Sequence, residues 1–325
     1  MELTQNFIKA KQPCAAGYRW YIRNRHNGTD YQHLLDSLVS EGRITDAIWL
    51  IDNFGPTDAV LEADDIEADA LIFAGTIIVR GGIHVDGVLR AGRAIQADGG
   101  VRAGESITTG GDLEAKAGFY CDGTVSVGGD LRVGWSVTAT GALRVGGIAR
   151  VHRDLHCDAD IDVAEDLLIG EALAVRGNVR CGKGLRAGGE VVGEASIVTA
   201  NGILAGAGLR AGTHLEAGWG IKAWGDIEAG SAIRAGEGVE AGGAIVAGPG
   251  YGIHAGLAVR MDDWPASARI LAVEPPARLI SGYWAEGRTS SEQGPSVAGM
   301  RATASDGGHR HHRGQMSHTS KEVAQ

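Results

Sequence analysis

Large apolar side chains, proline and cysteine are scarce in this chain of 325 residues, which has 4 phenylalanines, 7 prolines and 4 cysteines but 52 glycines. With so few large side chains, the chain cannot fill the wide cores of several globular domains. The apolar residues that are present, mostly Ala, Val, Ile and Leu, suit a narrow interior. No proline lies between Pro56 and Pro249, and because proline cannot donate a backbone hydrogen bond, this stretch can carry an uninterrupted β-ladder.

Long apolar runs are also missing. No window approaches the roughly 18 apolar residues of a membrane span, and the first part of the chain has no apolar stretch followed by a cleavage site. We therefore expect a cytoplasmic protein without a membrane span. The net charge is −10, with most of the acidic excess near the N-terminus, which disfavours nonspecific binding to nucleic acid or anionic membranes.

A six-residue period dominates the middle of the chain. From Ile77 to Ile245, every sixth residue is bulky and apolar at 28 of 29 positions, and the exception is Ala149. A smaller residue follows two positions later, as at Val79 and Ala247. Because side chains two apart lie on one face of a strand, each unit indicates a short strand with a large and a small residue inward and a variable residue outward.

Strands this short must stack to bury their inward faces, which predicts an all-β solenoid. We expect a β-helix of hexapeptide-type rungs, about three per coil. At about 4.8 Å per coil, ten coils would extend roughly 45–50 Å. Glycine often follows the small residue, as at Gly104 and Gly188, where we expect corners with positive φ.

The sequence changes character before the repeat. Residues 1–66 are expected to form a small α-helical cap, in which residues 30–54 supply two short helices. The first is predicted to end at Gly42, and the second to begin with Thr45 as its N-cap and to stop at Gly55. The aromatic residues expected to pack beside these helices are Tyr18, Trp20 and Tyr21.

The solenoid itself is assigned to residues 67–260, with Ile253 and Val259 continuing the apolar column after a shift of two. Residues 261–287 include two strand-like runs and predict a closing flap at the C-terminal end. Residues 288–325 are polar and are expected to be disordered.

An acidic run precedes the repeat and contains no intervening base. It is either a solvated approach to the solenoid or a docking surface for a basic partner. Its members are Asp58, Glu62, Asp64, Asp65, Glu67 and Asp69.

No residue pattern indicates a catalytic centre, a cofactor or a metal site. Cys121, Cys157 and Cys181 occupy the small inward position and are interpreted as buried structural thiols. His84 and His156 fall at outward positions of one predicted face, four coils apart, and neither has a Cys or His at ligand spacing. A cluster of tail histidines could bind a transition metal weakly and adventitiously. These are His309, His311, His312 and His318.

The outward face offers a candidate protein-contact surface instead. Leu168, Arg186 and Leu204 are predicted to share one face, with Trp219 and Trp224 at nearby corners. Exposed Trp and Arg together are typical of binding hot spots. Packing of both tryptophans against the C-terminal flap remains the alternative.

Two families share features with this repeat. Hexapeptide-repeat acyltransferases have the same period and a catalytic histidine, but their small residue precedes the aliphatic one by two positions, whereas here it follows. The chain more closely resembles the bactofilins and other polymer-forming β-helix proteins, on Gly111-Asp112-Leu113, Gly129-Asp130-Leu131 and Gly225-Asp226-Ile227. That resemblance covers the solenoid and implies self-assembly.

Three functions follow as hypotheses. The first is a noncatalytic binding protein, for example an immunity or antitoxin-like protein that occludes another protein. The second is a bactofilin-like scaffold that associates with itself, which the predicted caps oppose. The third is a hexapeptide-repeat acyltransferase.

Overall fold

The computed structural model of the protein describes residues 3–24, 30–259 and 263–286. Residues 3–54 form a helical module with its own apolar core, and a parallel β-solenoid follows. The module has four helices rather than the two predicted. They are α1 (Gln5–Ala10), α2 (Ala15–Asn24), α3 (Tyr31–Ser40) and α4 (Ile44–Phe54).

Local sequence explains where these helices begin and end. The side chain of Asp30 accepts a hydrogen bond from the backbone N–H of Gln32 and caps α3, and Gly42, with φ of 69°, follows its end. The predicted N-cap at Thr45 is wrong, because α4 already begins at Ile44. Helix α2 contains all three aromatic residues that were expected only to pack nearby.

The predicted all-β solenoid is confirmed, with three parallel sheets and about twelve coils. Sheet 1 contains β1 (Val60–Ala63), β4 (Thr76–Val79), β7 (Ile95–Ala97), β10 (Leu113–Ala115), β13 (Leu131–Val133), β16 (Ala149–Val151), β19 (Leu167–Ile169), β22 (Leu185–Ala187), β25 (Ile203–Ala205), β28 (Ile221–Ala223), β31 (Val239–Ala241), β34 (Arg269–Ala272) and β36 (Tyr283–Glu286).

The other two sheets complete each coil. Sheet 2 contains β2 (Ile66–Ala68), β5 (Ile83–Val85), β8 (Val101–Ala103), β11 (Phe119–Cys121), β14 (Val137–Ala139), β17 (Leu155–Cys157), β20 (Leu173–Val175), β23 (Val191–Gly193), β26 (Leu209–Ala211), β29 (Ile227–Ala229) and β32 (Ile245–Ala247). Sheet 3 contains β3 (Leu71–Phe73), β6 (Val88–Ala91), β9 (Ser106–Thr109), β12 (Thr124–Val127), β15 (Leu143–Val145), β18 (Ile161–Val163), β21 (Val179–Cys181), β24 (Ile197–Thr199), β27 (Leu215–Ala217), β30 (Ile233–Ala235), β33 (Ile253–His254) and β35 (Leu279–Ser281).

Successive coils are in register at 18 residues over most of the stack, so that Leu113 pairs with Leu131 and Leu131 with Ala149. The large inward residues form a continuous buried column, in which Ala149 keeps its inward place and is fully buried. The period of six therefore places one apolar side chain from every rung in the core.

The solenoid begins at Val60, before the boundary expected at residue 67. Its first inward residues are Leu61, Ile66 and Leu71, which are spaced by five residues rather than six. Leu61 accordingly pairs with Ile77, only 16 residues later. A search at a period of six misses this coil because its corners are one residue shorter.

The C-terminal segment continues the solenoid instead of forming a separate flap. Ile253 pairs with Ile233 as expected, but Val259 lies outside any strand. The next strands follow α5 (Trp264–Ser267). Strand β34 pairs with β31, and β36 pairs with β34, so that both extend sheet 1. The last member of the apolar column within the described residues is Trp284, which is partly buried opposite Ile270. The tail predicted to be disordered lies outside the described residues.

The expected positive φ at the corner glycines is wrong, since glycines with positive φ occur only outside the regular coils within the described chain. Close approach of the coils matters instead. A Cβ at Gly104 would lie 2.0 Å from the carbonyl oxygen of Asp86 in the preceding coil, and one at Gly188 would lie 2.1 Å from that of Gly170.

The helical module docks on the first strand of sheet 3 through Gln32. Its side-chain Nε2 donates to the carbonyl of Ile72 at 3.0 Å, and its Oε1 accepts from the N–H of Ala74 at 2.9 Å. The Gln32 side-chain amide thus makes the kind of hydrogen bonds that a neighbouring strand would make at this edge. In sheets 1 and 2, the described part of the chain gives β1 and β2 a strand partner on one side only.

Candidate functional site

The aspartates of the Gly-Asp motifs have a structural role, because they link successive coils by hydrogen bonds. The Oδ1 atoms of Asp112, Asp130 and Asp226 each accept a backbone N–H from the next coil, at 2.9, 2.8 and 2.7 Å. A Cβ at Gly129 would lie 2.1 Å from Asp112 Oδ1, so glycine leaves room for the carboxylate above it. The motif that carries the resemblance to bactofilins therefore pairs a corner carboxylate with a glycine of the following coil.

The predicted contact surface lies mostly on the outer face of sheet 1. The pairing of β19, β22 and β25 stacks Leu168, Arg186 and Leu204 directly on one another. Both leucines are half-buried and the arginine is exposed. With Asp166 and Trp219 they line one open groove. Four of the five predicted residues therefore come together.

The two tryptophans sit at opposite corners of one strand. Trp219 precedes β28 and Trp224 follows it, and their side chains are 41% and 54% exposed. This exposure argues against the alternative in which both pack against the C-terminal segment. The Lys222 ammonium lies 4.5 Å from the Trp224 ring centroid and 2.8 Å from Glu240. Trp224 does not line the groove.

Arg186 differs from most cations of the solenoid surface. Pairs such as Arg153 with Glu171 and Lys183 with Glu165 join carboxylates one coil apart. Arg186 has leucines above and below it, so neither of its strand partners carries a charge that could neutralise it. Among the described residues, no carboxylate oxygen lies within 4.0 Å of its guanidinium.

The exposed Trp135 was not singled out from the sequence. Trp135 is 53% exposed at the corner between sheets 1 and 2, and the Arg153 guanidinium lies 5.7 Å from its ring centroid. Its Gly-Trp dipeptide matches that of Trp219, and this signal could have found it.

The acidic run occupies the first coil, beside the strand edges that have a single partner. Asp58 pairs with Arg93 at 2.6 Å and Asp64 with Arg80 at 2.8 Å, while Asp65 accepts the N–H of Gly82. The other three acids are found without an ion pair in the part of the chain that the structure describes. They are Glu62, Glu67 and Asp69.

The three solenoid cysteines are buried at inward positions, as predicted. Burial raises the pKa of each thiol, to about 12 for Cys181.

The two histidines face outward on sheet 2. His84 lies 3.3 Å from Asp86, and His156 lies 3.1 Å from Asp158. Within residues 3–24, 30–259 and 263–286, no group of three or more His, Cys, Asp or Glu side chains could hold a metal ion. The tail histidines lie outside these ranges. None of the helices within the described residues is long and apolar enough to span a membrane.

Comparison with known proteins identifies the helical module alone. Residues 1–54 are similar to the family described as the YdhT N-terminal domain, and the match ends where α4 ends. No curated protein and no solved structure matches the chain.

Proposed function

We propose that this protein is a noncatalytic binding protein that uses the sheet 1 groove to hold a segment of another protein. The single observation that carries the proposal is the stack of Leu168, Arg186 and Leu204 beside Trp219. Apolar contact area and a guanidinium without an ion-pair partner lie side by side on the outer face of sheet 1, a combination typical of hot spots.

The groove favours a partner segment with an apolar side chain and a nearby carboxylate. The leucines and the indole offer an apolar floor, and Arg186 offers a fork of donors that matches a carboxylate. Occlusion of a partner, as by an immunity or antitoxin-like protein, is the form of binding that we favour.

Site-specific crosslinking tests this proposal. A photoreactive residue at position 204 should crosslink a discrete partner in extracts of the native host, and the same residue at Val198, outward on sheet 3, should not. Leu204→Asp with Arg186→Glu should abolish capture of that partner by the full chain, and Val198→Asp should preserve it. Capture that is equal in both variants would overturn the assignment to the groove.

Self-assembly is the second candidate. One observation favours it: among the described residues, β1 and β2 each have a strand partner on one side only, and Leu61 and Ile66 beneath them are partly buried. Light scattering at several concentrations separates the two functions. A single discrete mass supports the binding protein, and open-ended growth supports the scaffold.

A further inference from the structure

The helical module contains an apolar cavity, partly open to solvent, that neither proposed function uses. It measures about 160 Å³ and opens beside the exposed residues Cys14 and Thr45. Its buried apolar walls come from all four helices. They are Ile8, Trp20, Tyr21, Leu34, Leu38 and Leu50.

The polar end of this cavity is formed by Asp46. One carboxylate oxygen, Oδ2, pairs with the Arg43 guanidinium. The other, Oδ1, accepts only the weak thiol donor of Cys14 at 3.7 Å within the described residues. It can therefore accept a stronger hydrogen bond from a guest.

Gly17 keeps the space beside this oxygen open. It lies inside α2, where glycine is disfavoured relative to alanine. A Cβ at this position would lie 3.0 Å from Asp46 Oδ1 and 3.3 Å from Cys14 Sγ. The absence of a side chain leaves the carboxylate oxygen accessible from the cavity.

We propose that this cavity is a binding site for a small uncharged aromatic molecule that carries one hydrogen-bond donor, the phenol class. An apolar cavity of about 150 Å³ can hold benzene, which sets the size of the guest at one ring. The apolar walls exclude an anionic guest, because its charge would be buried unpaired beside the Asp46 carboxylate. A cationic guest is disfavoured because Arg43 already neutralises that carboxylate. The free lone pairs of Asp46 Oδ1 select a guest that donates.

Calorimetric titration of the full chain with phenol tests the site. We expect one saturable site with a Kd on the order of 0.1–1 mM, in keeping with the few atoms of the ligand. Phenol should also slow the alkylation of Cys14 by iodoacetamide, since this thiol stands at the cavity opening. Benzoate, which carries a negative charge, should not bind.

Two cavity variants and one control variant test whether phenol binds in this cavity and donates to Asp46. Asp46→Ala should weaken phenol binding at least tenfold but leave toluene binding unchanged, because toluene has no donor. Leu38→Phe should fill the cavity and weaken both ligands. Asp36→Ala, an exposed change on α3 outside the cavity, should alter neither.

Circular dichroism confirms that each variant folds. Absence of saturable phenol binding would overturn the proposal, as would equal phenol affinity in the wild type and both cavity variants. Neither result bears on the sheet 1 groove, because the two sites share no residue.

Discussion

At the level of single residues, an inward position in the solenoid makes a cysteine unreactive. Cys121, Cys157 and Cys181 are buried, and burial raises the pKa of each thiol, whereas Cys14 is exposed. Thiolates, not thiols, react with disulfide reagents. We therefore expect Ellman's reagent at pH 8 to titrate one thiol in the native protein and four after denaturation.

Cys14→Ser provides the control for this thiol titration. It should remove the native reaction and leave three thiols in denaturant. A second fast thiol in the native wild-type protein would contradict the burial of the solenoid cysteines.

Asp160, at the corner before β18, makes stability depend on acid pH. Hydrogen bonds from the backbone N–H and side-chain amide of Asn178 hold the pKa of Asp160 below its ordinary value of 3.8. Because the folded-state pKa is lowered, this contribution is complete above pH 3.8 and is lost as the pH falls through the lowered value. Asp160→Ala should cost about 1–2 kcal/mol at pH 7, since it leaves a backbone donor unsatisfied.

Urea unfolding at several pH values measures the effect at Asp160. The difference between wild type and Asp160→Ala should shrink in acid. Asp162→Ala, which removes a half-exposed ion pair with Arg180, should change stability by less than about 1 kcal/mol. Equal losses in both variants at pH 7 would contradict a special role for the corner carboxylate.

At the level of elements, one amide joins the helices to the sheet. Gln32→Ala removes its hydrogen bonds to Ile72 of β3 and to Ala74 directly after β3, and we expect a loss of about 1–2 kcal/mol in the free energy of unfolding. Hydrogen exchange at the Ala74 amide should speed up, because that donor loses its acceptor.

His33→Ala is the matched control for Gln32→Ala, since His33 is exposed on the same helix. It should leave exchange at Ala74 unchanged. Unaltered exchange in Gln32→Ala would show that apolar packing of Ile72 alone holds the helices in place.

At the level of the whole solenoid, the position of a coil in the stack should set the cost of a core mutation. Ile227 is fully buried with coils on both sides, whereas Ile66 is partly buried in the first coil. Ile227→Ala should cost about 2–5 kcal/mol and Ile66→Ala less than half of that, because the cavity term grows with burial. Urea unfolding measures both.

Equal costs in the two isoleucine variants would have a definite meaning. They would show that Ile66 is as enclosed as Ile227, and that the open N-terminal edge is covered in solution. Such a result would also remove the observation that favours the scaffold hypothesis.

Much of this architecture follows from the sequence because its rule is local and repeated. A large residue at every sixth position, with a small one two later, specifies inward faces from Ile77 to Ile245 without knowledge of any long-range contact. The same count of 18 residues per coil predicts that Leu168, Arg186 and Leu204 stack.

Contacts between distant or irregular segments required the tertiary structure. Four features follow no period in the sequence. They are the first coil at Leu61, the strand β34 after the long connection that precedes it, the contact of the Gln32 amide with β3, and the cavity beside Asp46. Each depends on groups that meet only after the chain has folded, because their separation in sequence is not tied to the geometry of a repeat. The repeat thus determined the solenoid, and packing at its ends decided the rest.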